Sequence, residues 1–309
     1  MGVQGETTAS GRPKPDVRTV ARLVELGWWA RAEKAEAALT RRETHSRFAY
    51  ETAGPVIDWL VETLGLGEHR SGRCCAAQAI HKYPDMLAST TSTLQRGWDT
   101  LVLSREVGGL GVPREVARQR VATFPQVLGF SREFVMERAA FLETLGVPDG
   151  RAAVGRQFQL LGASEDTLHA GAEWLQSQGL DLKRMMKSHP HLLRWSPEQL
   201  LAKLDFMCTV VGLAKADIQP VFLTFSLEGR LRPRYFYARQ RGVLDHYAFG
   251  TLMIGSDATF VKMANSLPRG TPATAREVAA YREHIASPEF IAYMGEQERA
   301  IRARRVKEP

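Results

Sequence analysis

The chain has 309 residues, of which 44% are apolar and 24% charged, a composition that excludes a disordered polymer and leaves room for one large core or two ordinary ones. Its three cysteines, Cys74, Cys75 and Cys208, provide neither a disulfide framework nor a zinc-binding Cys/His pattern. A formal charge of +7, carried by 32 Arg and 9 Lys against 34 acids, points to a polyanionic partner, and the planar guanidinium suits bidentate phosphate contact. No run of 18 uncharged apolar residues occurs, which excludes a membrane-spanning helix.

In chain order, residues 1–49 read as a helical, basic extension with Trp28, Trp29, Arg31, Arg41 and Arg42. Arg12, Arg18, Arg22, Arg31, Arg41 and Arg42 lean toward an organelle-targeting pattern, and Glu6 and Asp16 count against it. Within the extension, Ala30–Leu39 alternates small and charged residues, with Glu33 and Glu36 offsetting the cations, as on a surface helix.

From Tyr83 onward the chain repeats. Pro84-Asp-Met-Leu87, Pro125-Gln-Val-Leu128, Pro190-His-Leu-Leu193 and Pro220-Val-Phe-Leu223 share a Pro anchor followed by an apolar residue and Leu, and Phe158-Gln-Leu-Leu161 keeps the pattern with Phe in place of Pro. The anchors fall at positions 84, 125, 158, 190 and 220, so the first interval is the longest and the others lie near a period of roughly 32 residues. Two further columns align with them: a hydroxyl six positions on (Thr90, Ser131, Ser164, Ser196, Ser226) and a later glycine (Gly146, Gly179, Gly212, Gly242, with Gly111 an earlier member).

Each column has a mechanical reading. The hydroxyl is a helix N-cap, shown most plainly in Ser196-Pro197-Glu198, with Pro and an acid in the first turn. Leu200, Leu204, Met207 and Val211 then fall on one helical face, and Gly212 stands where a left-handed residue ends the helix. The same grammar predicts helices between Ser131 and Gly146 and between Ser164 and Gly179. A shorter helix, as in Leu180–Met186, leads to the next Pro, which redirects the chain. Such a unit cannot bury its own apolar stripe, so five of them stack. The expected fold class is all-α, an α-solenoid with a period of about 30–33 residues.

This grammar resembles the mitochondrial transcription termination factor (mTERF) family over about residues 50–265. The most specific segment is Phe222–Arg234, with Ser226-Leu227-Glu228 and the basic-Pro-Arg run Arg232-Pro233-Arg234, followed by Ser256–Phe260. The resemblance implies a right-handed, curved solenoid over residues 50–245, a C-terminal cap with a basic tail over 246–309, and nucleic-acid binding in a mitochondrion or, alternatively, a chloroplast. It implies organellar gene expression, with transcription termination, RNA maturation and ribosome assembly all among the family's processes. Two departures stand out: Phe158 replaces the anchor Pro, and extra residues near 102–109 lengthen the unit after Pro84. Both predict local distortion.

The candidate nucleic-acid residues form two groups. Arg230, Arg232, Arg234, Arg239 and Arg241 are opposed only by Glu228, and Tyr235 beside them offers a ring for base stacking. Lys183, Arg184, Lys187 and Arg194 flank the anchor Pro190, with His189 and His191 between them. The two histidines lack a third ligand, so no metal is expected. The tail Arg299, Arg302, Arg304, Arg305 and Lys307 is basic as well. No Walker loop occurs, and Gly108-Gly109-Leu110-Gly111 lacks dinucleotide spacing; neither an enzyme, nor a cofactor, nor a small-molecule substrate is expected. The degenerate unit and the basic ends favour RNA slightly over duplex DNA. A constitutive subunit of an organellar ribosome that clamps rRNA beside ribosomal proteins is the alternative, and a protein-only scaffold the third reading.

Overall fold

A computed structural model describes residues 14–40, 48–65, 74–266 and 271–305. Arg12, Arg41, Arg42 and Lys307, named above, lie outside the described residues. Every regular element described is helical, and the fold is an all-α helical-repeat architecture. The chain divides into two compact units, 1–163 and 164–309.

The N-terminal unit begins with α1 (Val17–Glu25) and α2 (Ala32–Leu39), followed by α3 (Tyr50–Leu64). Asp16 caps α1 through Arg18 N and also accepts from Tyr50 N, while Thr19 Oγ1 donates to Phe48 O at 2.8 Å. Trp28 and Trp29 are buried. The described start of the extension, at Asp16 and Thr19, is therefore tied to the chain just before and at the start of α3. The unit continues through α4 (Cys75–Lys82), α5 (Thr91–Val102), α6 (Arg114–Thr123), α7 (Arg132–Thr144) and α8 (Gly150–Arg156).

The C-terminal unit comprises α9 (Glu165–Ser177), α10 (Leu182–Ser188), α11 (Pro197–Asp205), α12 (Pro220–Thr224), α13 (Arg232–Gln240), α14 (Phe249–Ile254), α15 (Asp257–Ala264), α16 (Ala275–Ala286) and α17 (Pro288–Arg305).

The sequence columns take up the positions their chemistry requires. Thr90, Ser131, Ser164, Ser196 and Ser226 each accept a hydrogen bond from the backbone N–H three positions on. Gly111, Gly146, Gly179, Gly212 and Gly242 all have φ between 69° and 92°, the left-handed region that glycine enters without steric cost. The anchors form 3₁₀ turns at Pro84–Ala88, Pro125–Gly129 and Pro190–Arg194, and one α-helical turn at Pro220.

Phe158 does not distort its unit. Residues 158–162 make the same 3₁₀ turn, Gln157 has φ −139° and ψ 80° like Tyr83 and Phe124 before Pro84 and Pro125, and Phe158 is buried. The expected distortion is corrected there because buried aromatic packing replaces the constraint of the proline ring. The extra residues after α5 form a closed loop: Leu110 N donates to Thr100 O, Gly111 N to Leu103 O and Val112 N to Leu101 O.

Residues 206–211 are π-helical, and Val210 rather than Val211 is buried. A π-turn adds one residue to the helix, which rotates the expected stripe by one position. A second π-turn spans Leu227–Leu231. The glycine column carries the same information, since Gly212 and Gly242 stand one position further from Pro190 and Pro220 than Gly146 and Gly179 do from Pro125 and Phe158.

The repeat also extends beyond residue 245: α14 takes the place of an anchor turn, with Gly250 where Pro stood, and Ser256 caps α15 six positions later.

One further column joins consecutive repeats. Thirteen positions after their anchors stand Gly97, Arg138, Gly171 and Lys203, and with one residue added by the π-turn, Arg234. Each glycine lies against the carbonyl of the next anchor Leu: a Cβ at Gly97 would sit 2.2 Å from Leu128 O, and at Gly171 2.4 Å from Leu193 O. Lys203 Nζ donates to the equivalent Leu223 O at 2.6 Å. Arg234 Nη1 reaches Met253 O, in the same relation to Gly250, at 3.1 Å.

Candidate nucleic-acid interface

The arginines of the Ser226–Arg241 segment divide by burial. Arg234 is 2% exposed. Its Nη1 donates to Leu252 O, Met253 O and Gly255 O, and its Nη2 to Asp257 Oδ1 at 2.9 Å. Asp257 also receives Arg282 through its other oxygen; burial opposes its ionisation, but the two guanidinium groups outweigh it and hold its pKa below the ordinary carboxylate value. Arg230 donates to Met253 O, Ile254 O and Gly255 O and lies 4.2 Å from the Phe225 ring centre. Together they cap the C-terminal carbonyls of α14, where positive charge is favoured.

Tyr235 is buried as well, edge-on to Phe206 at 5.8 Å with its hydroxyl donating to Val210 O. Arg234 and Tyr235 are thus core residues with no face toward solvent, contrary to the sequence-based expectation. The signature they belong to locks α13 to α14 and α15.

Arg232 is half-buried within an alternating ionic chain, Glu228–Arg232–Glu298–Arg302–Asp205, with N···O distances of 2.6–2.8 Å. Burial opposes the charge on Arg232, but Glu228 and Glu298 outweigh it and raise its pKa. This chain binds α17 to α13 and α11, and Arg305 Nη1 adds a bond to Cys208 O. The Arg302 and Arg305 side chains of the basic tail are therefore engaged within their own unit. Arg239 and Arg241 remain exposed, Arg241 bonding Tyr237 Oη at 3.0 Å.

The second group has a different setting. Lys183, Arg184 and Lys187 on α10 and Arg194 at the end of the following 3₁₀ turn are all exposed. Asp181 caps α10 through Arg184 N, and Arg184 Nη1 donates to Ala216 O at 3.0 Å. Burial, then His189 and Arg194, pull the His191 pKa down to about 4, so its ring adds no charge at neutral pH. The neighbouring long helix α9 carries the exposed acids Glu165, Asp166 and Glu173. Charge in this unit is thus segregated, with cations along the short helix and acids along the long one.

Sequence reasoning missed the buried cations Lys203 and Arg138. Lys203 is 5% exposed and 3.6 Å from the Trp195 ring centre, and burial lowers its pKa to about 8. Arg138 is 7% exposed between Phe134 and Phe141, with Nε and Nη1 unbonded. The signal that finds them is their shared column with Gly97 and Gly171.

Compared with known proteins, residues 105–261 match the family model mTERF. No curated protein matches the chain.

Proposed function

The chain belongs to the mTERF family, whose coarse role is organellar nucleic-acid binding, and from that premise we propose that it holds nucleic acid on α10 and the turn that follows, acting in organellar gene expression. The observation that carries this reading is the exposed set Lys183, Arg184, Lys187 and Arg194 on the short-helix side of a unit whose long helix α9 is acidic. The acids repel a phosphodiester backbone and the cations attract it, so the segregation orients the ligand. Arg239 and Arg241 are secondary contacts. Arg230, Arg232 and Arg234 serve the fold instead. The role is binding without catalysis, and the mitochondrion is the proposed compartment.

The test is binding of a labelled RNA oligomer and its duplex DNA counterpart over a salt series. Charge reversal of Lys183, Lys187 and Arg194 weakens binding and flattens the dependence of log K on log salt by about 0.7–0.9 for each phosphate no longer neutralised. Unchanged affinity and slope would move the interface off α10. Sedimentation of the native protein from organelle extract, with and without RNase and DNase, then separates a regulator from an rRNA-clamping ribosome subunit. Co-migration with a ribosomal subunit at equal stoichiometry, abolished by RNase treatment, identifies the latter.

A further inference from the structure

The N-terminal unit contains an open cleft between α5 and the start of α7, lined by Thr93, Arg96 and Asp99 on one side and by Phe130, Arg132 and Glu133 on the other. Gly97 creates it. Because the glycine lets α5 approach the backbone of Leu128 closely, the side chains one position before it and two after it are brought opposite the N-terminal turn of α7.

The chemistry of the cleft is specific. Its charges balance, Arg96 and Arg132 against Asp99 and Glu133. Phe130 is half-buried, presenting ring surface to the cleft while packing on Phe134 at 5.0 Å and 32°. Arg132 is held in place by Nη1 donating to Val107 O, Arg96 by Thr93 Oγ1, and Asp99 by accepting from Gln95 Nε2 at 2.8 Å, which leaves its second oxygen open. A phosphate would meet two carboxylates here and is disfavoured. An aliphatic ligand would have to desolvate four charges. A flat, neutral group whose edge carries both donors and acceptors satisfies the ring and the charged edges together.

We propose that this cleft takes an unpaired nucleobase of a bound single strand, stacked on Phe130 with its edge read by Asp99, Arg96 and Glu133. The proposal rests on the nucleic-acid reading above and adds to it a contact that is not ionic. A paired base in a duplex has its edge engaged and cannot enter.

The experiment measures affinity of the full chain for a single-stranded RNA oligomer, the same DNA sequence, both as duplexes, and single strands with abasic positions. Phe130→Ala lowers single-strand affinity roughly 5- to 150-fold, the range set by removing one base–aromatic stack, with the salt slope unchanged; Phe130→Tyr restores it. Wild type loses a similar factor on abasic strands, whereas Phe130→Ala binds intact and abasic strands equally. Asp99→Asn, which still accepts from Gln95, changes the preferred base. RNA over DNA, or both alike, identifies the source of the base. Equal loss by Phe130→Ala on intact and abasic strands, or no loss, overturns the cleft while leaving the α10 interface standing. Absence of binding to every oligomer overturns both.

Discussion

Gly97 and Lys203 stand at the same position of their repeats and meet the same carbonyl of the next anchor turn in opposite ways. At Gly97 the two repeats touch backbone to backbone, and the absence of a side chain fixes their spacing. At Lys203 a side chain fills the gap, donating to Leu223 O and lying against Trp195. Gly171 repeats the first solution, and Arg234, with three carbonyls and a carboxylate, elaborates the second. A repeat protein can thus vary its spacing locally while keeping the cap, anchor and glycine columns constant, because in these four repeats one position sets the joint.

The comparison can be broken most directly at the glycines. Gly97→Ala places a methyl 2.2 Å from Leu128 O and 2.7 Å from Leu128 Cα, so neither partner can yield without backbone movement; urea denaturation is expected to show a loss of about 3 kcal/mol or more. Gly171→Ala, at 2.4 Å from Leu193 O, should approach the same loss. A cost below about 1 kcal/mol in both would mean that the joint is not fixed by backbone contact.

Arg234→Met comes next. It leaves Asp257 facing Arg282 alone, takes the arginine donor from Leu252 O and leaves Met253 O and Gly255 O to Arg230, a loss of about 3 kcal/mol on the scale of broken buried pairs, checked by thermal unfolding. Lys203→Met removes one bond but also the cost of burying a charge, so about 1 kcal/mol is lost at pH 7. Its pH dependence sharpens the contrast. With a folded pKa of about 8 against 10.5 for a free lysine, the unfolded chain binds more protons between those values, so this lysine makes stability rise with pH from 8 to 10.5. The Met variant loses that increment, and melting curves across the interval read the difference.

The smallest effect is expected at Arg138→Met. This cation occupies the same column, but Nε and Nη1 have no bond to lose; the removed stacking on Phe134 and Phe141 is offset by relief of the unbonded donors, and stability should stay within about 1 kcal/mol. A larger loss would show that Arg138 holds its joint as Lys203 does.

Caps, anchors and left-handed glycines were legible because each is a local requirement on one residue. The joint column was not: Gly, Lys and Arg share no chemistry in a sequence, and what unites Gly97, Gly171, Lys203 and Arg234 is a backbone carbonyl on the anchor turn of the next repeat. The π-turns left a trace in the glycine spacing, which is one position longer at Gly212 and Gly242 than at Gly146 and Gly179. The arginine-rich signature misled because sequence counts charge and not exposure: Arg230 and Arg234 look like free cations until α14 supplies carbonyls around them. The exposure of the α10 cations was readable because a short helix beside a turn has little surface on which to bury them.

The ionic chain through α17 has a consequence for the order in which the protein is made. Asp205 waits for Arg302, synthesised 97 residues later, whereas the cap of each repeat closes over three residues and each joint within the next unit. As the chain emerges at about 5–20 residues per second, the early repeats can assemble one upon another, while Asp205 and Arg232 stay without their α17 partners for several seconds. The C-terminal unit is therefore the part of this molecule with the longest exposure to misassembly before its last helix arrives.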